Sequence, residues 1–70
     1  MANLSARNQL EGTIKKITEG AVNSEVIIEL PGGIEITSII TKHSVERLGL
    51  KEGGKAKAVI KATSVMIGTD

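Results

Sequence analysis

Val22-Asn23-Ser24-Glu25-Val26-Ile27-Ile28-Glu29-Leu30-Pro31-Gly32-Gly33-Ile34-Glu35-Ile36-Thr37-Ser38-Ile39-Ile40 is the stretch that decides the fold. Val22, Ser24, Val26, Ile28 and Leu30 fall on one side of an extended chain, and Asn23, Glu25 and Glu29 on the other. That period of two predicts a strand with one buried face. Pro31-Gly32-Gly33 then predicts a tight turn, because proline fixes φ and glycine tolerates positive φ. Ile34, Ile36, Ser38 and Ile40 continue the alternation, so a third strand returns along the second as a hairpin.

Upstream, Leu10, Gly12 and Ile14 alternate with Glu11, Thr13 and Lys15, predicting a strand over residues 9–17, and Glu19-Gly20-Ala21 punctuates it. Downstream, residues 41–50 lose the period of two and read as a short helix. Ser44 is the expected N-cap, Glu46 is expected in the first turn, and Gly49 can end the helix in the left-handed region. Lys51-Glu52-Gly53-Gly54 predicts a second turn. Residues 55–62 alternate again, and Val65-Met66-Ile67 reads as a final short strand. Three strands, a helix and two strands give an all-β chain, a small OB-like Greek-key barrel with one short helix between the third and fourth strands.

The chain has 70 residues, one domain spanning 1–70, and no cysteine, so neither a disulfide nor a thiolate metal site is expected. A core this small is marginal alone, and self-assembly is the remaining remedy. Ile27, Ile39 and Val59 put apolar side chains on the outward strand faces, which points to a second buried face and a homo-oligomer. There is no aromatic residue, so the 40% apolar content is aliphatic and suits sheet. Nine Lys and Arg against eight Asp and Glu leave a net charge of +1, too small for a general polyanion binder. No apolar run is long enough to span a membrane. The first residues have neither a basic nor an apolar signal-peptide region, so a cytoplasmic location is expected.

Two segments carry the chemistry. Ser5-Ala6-Arg7-Asn8-Gln9-Leu10 and Ile60-Lys61-Ala62-Thr63-Ser64 each set a cation among small and hydroxyl residues, with no carboxylate beside it. Such a set donates hydrogen bonds and accepts few, which suits a deprotonated oxyanion. Arg7 and Lys61 are the main candidates, with the Ser5 hydroxyl and the backbone at Ala6 and Ala62 beside them. Read alone, both cations are equally compatible with solvated surface charge. Thr41 and Ser44 flank the expected helix start, where free N–H groups favour an anion or a plain cap. Gly20-Ala21-Val22-Asn23 is either an ordinary tight turn or a second donor group. His43 and the carboxylates show no catalytic or metal-binding spacing, so neither an enzyme nor a resident cofactor is expected. A nucleic-acid-binding OB module is the alternative, but it would be expected to stack bases on aromatics.

Ser5-Ala6-Arg7-Asn8-Gln9-Leu10-Glu11-Gly12, Gly20-Ala21-Val22-Asn23-Ser24-Glu25-Val26, Ile40-Thr41, Ser44-Val45 with Leu48-Gly49-Leu50, and Ile60-Lys61-Ala62 with Val65-Met66-Ile67 together resemble the molbindins. These are small cytoplasmic molybdate-binding proteins made of a single Mop domain, and the resemblance runs over residues 4–67. It implies a hexamer, a trimer of dimers, that stores or buffers molybdate or tungstate at subunit interfaces. It assigns Ser5, Arg7, Lys61 and the backbone at Ala62 to one site, completed by Thr41 and Ser44 in related domains. A second site near the symmetry axes would involve Gly20, Ala21, Val22 and Asn23. The chain lacks a helix-turn-helix and a P-loop, so the resemblance carries over neither DNA-binding regulation nor ATP-driven transport.

Overall fold

The computed structural model describes residues 4–70. Its elements are β1 (Asn8–Glu19), β2 (Asn23–Glu29), β3 (Glu35–Thr41), α1 (Lys42–Leu48) and β4 (Lys55–Ile60), followed by a 3-10 turn at Ala62–Ser64. The four strands form one antiparallel sheet in the order β3-β2-β1-β4. With the helix between the third and fourth strands this is an OB-like half-barrel. β3 and β4 are its two free edges. Among the described residues no helix is long and apolar enough to cross a membrane.

β1 is longer than its alternation predicts because it serves two partners in succession. Its first half pairs with β4, from Asn8 opposite Ile60 to Thr13 opposite Lys55. Its second half pairs with β2, from Thr13 opposite Glu29 to Glu19 opposite Ser24. Ile14 is buried and Ile17 half-buried, although three residues apart they would fall on opposite faces of a regular strand. A bulge resolves the conflict. Ile14 faces Ile28 and Lys16 faces Ile27, so Lys15 is the extra residue and Ile17 returns to the inner face opposite Val26. Glu52 Oε2 accepts the Ile17 N–H just beyond the bulge (3.1 Å).

The turns follow the sequence closely. Gly33 N–H donates to the Leu30 carbonyl (3.1 Å), with Pro31 and Gly32 between them and φ +90° at Gly32. Gly54 N–H donates to Lys51 (3.0 Å), with φ +85° at Gly53. Both are glycine-dependent turns of the type II kind. The second turn also joins the sheet, since Gly53 N–H donates to Ile14 and Ile14 N–H to Gly54, each at 2.8 Å.

The core is Ile14, Val26, Ile28, Val45 and Ala58, with Ile17, Leu30, Ile36, Ile40, Leu50 and Ala56 packed around it. Val45 is the one buried residue of α1 and presses the helix onto the sheet. Gly49 ends the helix at φ +66°. Its N–H donates to Glu46 and that of Leu50 to Val45, a Schellman closure.

Three expectations are corrected. The N-cap is Thr41, not Ser44: β3 pairing continues through Thr41, and Thr41 Oγ1 accepts the Ser44 N–H (3.0 Å). Starting the helix that early also moves Glu46 out of the first turn, which holds no acidic residue. Residues 65–67 form no strand. The 3-10 turn carries them off the β4 edge, and Met66 is 91% and Ile67 87% exposed. Of the outward apolar residues, Ile39 and Val59 are exposed and Ile27 is half-buried.

Candidate functional site

Arg7 and Lys61 lie 54 positions apart in the chain, and the pairing of β1 with β4 brings their segments together. Asn8 stands opposite Ile60 in register, and its Nδ2 also donates to the Ile60 carbonyl (3.3 Å). Gln9 Nε2 donates to the Ala6 carbonyl (2.8 Å), which folds residues 5–7 back over the strand start. On the other side, the 3-10 turn closes with Ser64 N–H to Lys61 (2.8 Å) and Val65 N–H to Ala62 (3.3 Å). Ser5, Ala6, Arg7, Lys61, Ala62 and Thr63 line one cleft of about 600 Å³.

Two cations and two hydroxyls therefore share one cleft with no carboxylate in its lining. Among the described residues, neither Arg7 nor Lys61 is in an ion pair; the ion pair present joins Lys15 and Glu35. The start of a 3-10 turn leaves its first N–H groups, at Ala62 and Thr63, without helical acceptors. The cleft is open: Ser5, Arg7, Lys61, Ala62 and Thr63 are all exposed. Its volume far exceeds that of a single tetrahedral oxyanion.

Sequence reasoning missed three residues here. Thr63 lines the cleft, while Asn8 and Gln9 hold it together through their side chains. The signal was present, since amide side chains directly after a candidate ligand commonly bond nearby backbone.

Thr41 and Ser44 do not join this cleft within one chain. Thr41 stands opposite Asn23 in the β2–β3 pairing, and Lys42 N–H donates to Val22 (2.8 Å). The helix start and the residue 20–23 turn thus form a second group at the far end of β1. A strand of 12 residues at ~3.3 Å per residue is about as long as the 35 Å long dimension of the molecule. In this second group the Gly20 N–H is already taken by the Asn23 carbonyl (2.8 Å). Glycine is required there, since a Cβ would sit 2.6 Å from that same oxygen. Thr41 Oγ1 also donates to Ser44 Oγ (2.8 Å), which leaves the Ser44 hydroxyl hydrogen available to a ligand.

Of the other concavities, one of about 330 Å³ also holds two lysines, Lys55 and Lys57, without a carboxylate, but its lining is mainly apolar. The one beside the β2–β3 turn, about 690 Å³, contains Glu11 and Glu29. Among the described residues no group of three or more His, Asp or Glu could hold a metal ion.

The TOBE domain family matches residues 4–67. The chain is 52% identical over 65 residues to molybdenum-pterin-binding protein 1 of Clostridium pasteurianum, covering 93% of this chain and 96% of that one. It superposes on MopII from Clostridium pasteurianum with a TM-score of 0.91 at 51% identity, covering 96% of this chain and all of that one. A structure of the cytoplasmic molybdate-binding protein ModG with molybdate bound aligns at TM-score 0.84 and 61% identity, covering 87% of this chain and 43% of that one.

Proposed function

Because the chain belongs to the TOBE-domain family, among its Mop-type molbindins, we propose that it is a cytoplasmic binding protein for molybdate and the like-shaped tungstate, storing or buffering the oxyanion. It acts as a homo-oligomer, a hexamer built as a trimer of dimers, with sites where copies meet. Ser5, Arg7, Lys61 and the backbone at Ala6 and Ala62 supply one side of a site. Thr41 and Ser44 of a neighbouring copy supply the other. The residue 20–23 turn belongs to a second class of site near a symmetry axis.

The observation that carries this reading is the cleft that gathers Arg7 and Lys61 without a carboxylate. Molybdate at neutral pH is a tetrahedral dianion with no proton to donate, and a lining of donors matches it. Hydrogen phosphate carries a proton that would need an acceptor, and leaving it unpaired on burial is costly. The openness of the cleft supports an interface site. Exposed charges 4 Å apart attract by only about 1 kcal/mol in water, and the attraction grows several-fold as a covering chain lowers the effective dielectric.

Isothermal titration with molybdate, tungstate, sulfate and phosphate, paired with native mass spectrometry, tests the proposal. Molybdate and tungstate should bind, sulfate much more weakly and phosphate hardly at all, with the oxyanions retained on a hexamer. Equal affinity for phosphate would reveal an acceptor in the site and defeat the donor-only account. A monomer that binds molybdate fully would defeat the interface.

A further inference from the structure

The cleft that gathers Arg7 and Lys61 is built from backbone as well as side chains, and backbone brings carbonyl oxygens that repel an anion. Three of the lining residues have these oxygens engaged. The Ala6 carbonyl accepts from Gln9 Nε2 (2.8 Å), the Lys61 carbonyl from Ser64 N–H (2.8 Å) and the Ala62 carbonyl from Val65 N–H (3.3 Å). The Ile60 carbonyl, one residue before Lys61, accepts from Asn8 Nδ2 (3.3 Å).

These donors differ in origin. Those at Lys61 and Ala62 are backbone groups that come with the 3-10 turn, whatever side chains it carries. The Ala6 carbonyl lies outside the β1–β4 ladder, whose pairing starts at Asn8, and a side chain supplies its donor. Gln9 is half-buried and is not itself in the lining, so it acts on the cleft from behind. Chemistry fixes which end of its amide does so: a carbonyl only accepts, so the NH2 end faces Ala6.

Given the molybdate-binding reading, on which this rests, we propose that Gln9 is a positioning residue that determines specificity. By holding a hydrogen on the Ala6 carbonyl it withdraws a proton acceptor from the lining, and so favours oxyanions that carry no proton. A carbonyl that already accepts from the Gln9 amide is a poorer second acceptor, and a ligand proton facing it loses the partner it had in water. Without Gln9, the Ala6 carbonyl accepts from hydrogen phosphate, and its unshielded oxygen repels molybdate. One side chain therefore moves the two affinities in opposite directions. A purely structural role would not. The chain bends at Ser5 and Arg7 on either side of Ala6, and a simple loss of that shape would lower both affinities together.

The full-length variants Gln9→Met and Gln9→Lys provide the test. Both side chains are close to glutamine in length. Met has no donor, and Lys keeps one that can reach the Ala6 carbonyl. Competition titration in mildly alkaline buffer, where molybdate and phosphate are both dianions but phosphate retains a proton, reads the affinity ratio. Gln9→Met should weaken molybdate, strengthen phosphate and lower the molybdate-to-phosphate ratio at least about fivefold, the worth of one neutral hydrogen bond. Gln9→Lys should strengthen both through its charge and leave the ratio near that of the parent. Sedimentation velocity and thermal melts verify assembly and folding. If Gln9→Met does not fold, Gln9→Glu takes its place, since it has the shape of glutamine, no donor, and a charge that acts on both dianions alike. An unchanged ratio without the donor, or the same fall in Gln9→Lys, overturns the specificity role alone if the parent prefers molybdate. A parent that binds neither anion overturns the functional reading and the specificity role with it.

Discussion

Replacing Arg7 or Lys61 by Ala tests the central site, and the structure sets the size of effect that distinguishes a closed site from an open one. The two cations share a cleft with no carboxylate and, among the described residues, are in no ion pair, so their removal leaves no described partner unpaired. A hydrogen bond to a charged group in a desolvated site contributes about 1.5–3 kcal/mol. At about 1.4 kcal/mol per tenfold, each substitution should weaken molybdate roughly 10- to 150-fold. If the cleft stayed open to water, the attraction would be near 1 kcal/mol, about fivefold, and 0.5 M salt would erase most of it, an outcome flagged by the ~10 Å screening length at only 0.1 M. Lys57→Ala is the control. Lys57 has the same charge on β4, the strand that leads into Lys61, but it stands opposite Glu11 in the sheet and outside the cleft. Titration calorimetry at two salt concentrations, with sedimentation to verify assembly, separates the cases. The reasoning is refuted if Lys57→Ala weakens binding as much as Lys61→Ala, since that is general electrostatics. It is also refuted if Arg7→Ala and Lys61→Ala leave binding intact in an assembled protein, which moves the site to the turn at residues 20–23.

Three further outcomes follow from the packing. Ser24 is 1% exposed and its hydroxyl has no hydrogen-bond partner among the described residues, so Ser24→Ala should stabilise the fold by about 1–3 kcal/mol in thermal melts; a lower Tm would show that the hydroxyl is satisfied. A Cβ on Gly12 would lie 2.5 Å from the Glu29 carbonyl oxygen and 2.7 Å from an Ile28 methyl, so Gly12→Ala should cost about 1–3 kcal/mol as overpacking and weaken oxyanion binding by shifting β4; an unchanged Tm would contradict the close approach of β1 and β2. Glu29 and Glu35 stand directly opposite each other, and Lys15 bonds Glu35 beside them, so Lys15→Met should lower the Tm at low salt by an amount that shrinks as salt rises, and a salt-independent loss would mean the effect is packing. The amine of Lys15 is held above the ordinary lysine range, first by its hydrogen bond to Glu35 and then by the charges of Glu35 and Glu29. Its contribution is therefore fully present below about pH 10.4 and lost as pH climbs through the raised value, so parent and Lys15→Met melts should converge in strong alkali.

Much of this protein is written locally. The Pro31-Gly32-Gly33 turn, the β2–β3 hairpin and the glycine stop of α1 depend on residues within a few positions of one another, and periodicity with glycine chemistry reads them correctly. The family motif likewise marked Ser5, Arg7 and Lys61 as one set. What required the tertiary structure is whatever depends on which strand lies beside which. Thr41 and Ser44 both qualify as caps, and only the continuation of β3 pairing to Thr41 chooses between them. Ile14 and Ile17 cannot share a face by period two, and the bulge at Lys15 lets them do so because β2 and the Glu52 turn fix both sides of it. Residues 65–67 have strand composition, yet a strand exists only against a partner, and among the described residues none lies beside them. Arg7 meets Lys61 through the β1–β4 ladder alone. The sequence holds the donors, and the pairing of two strands far apart in the chain gathers them, because a ladder of backbone hydrogen bonds positions side chains that no local preference could bring together.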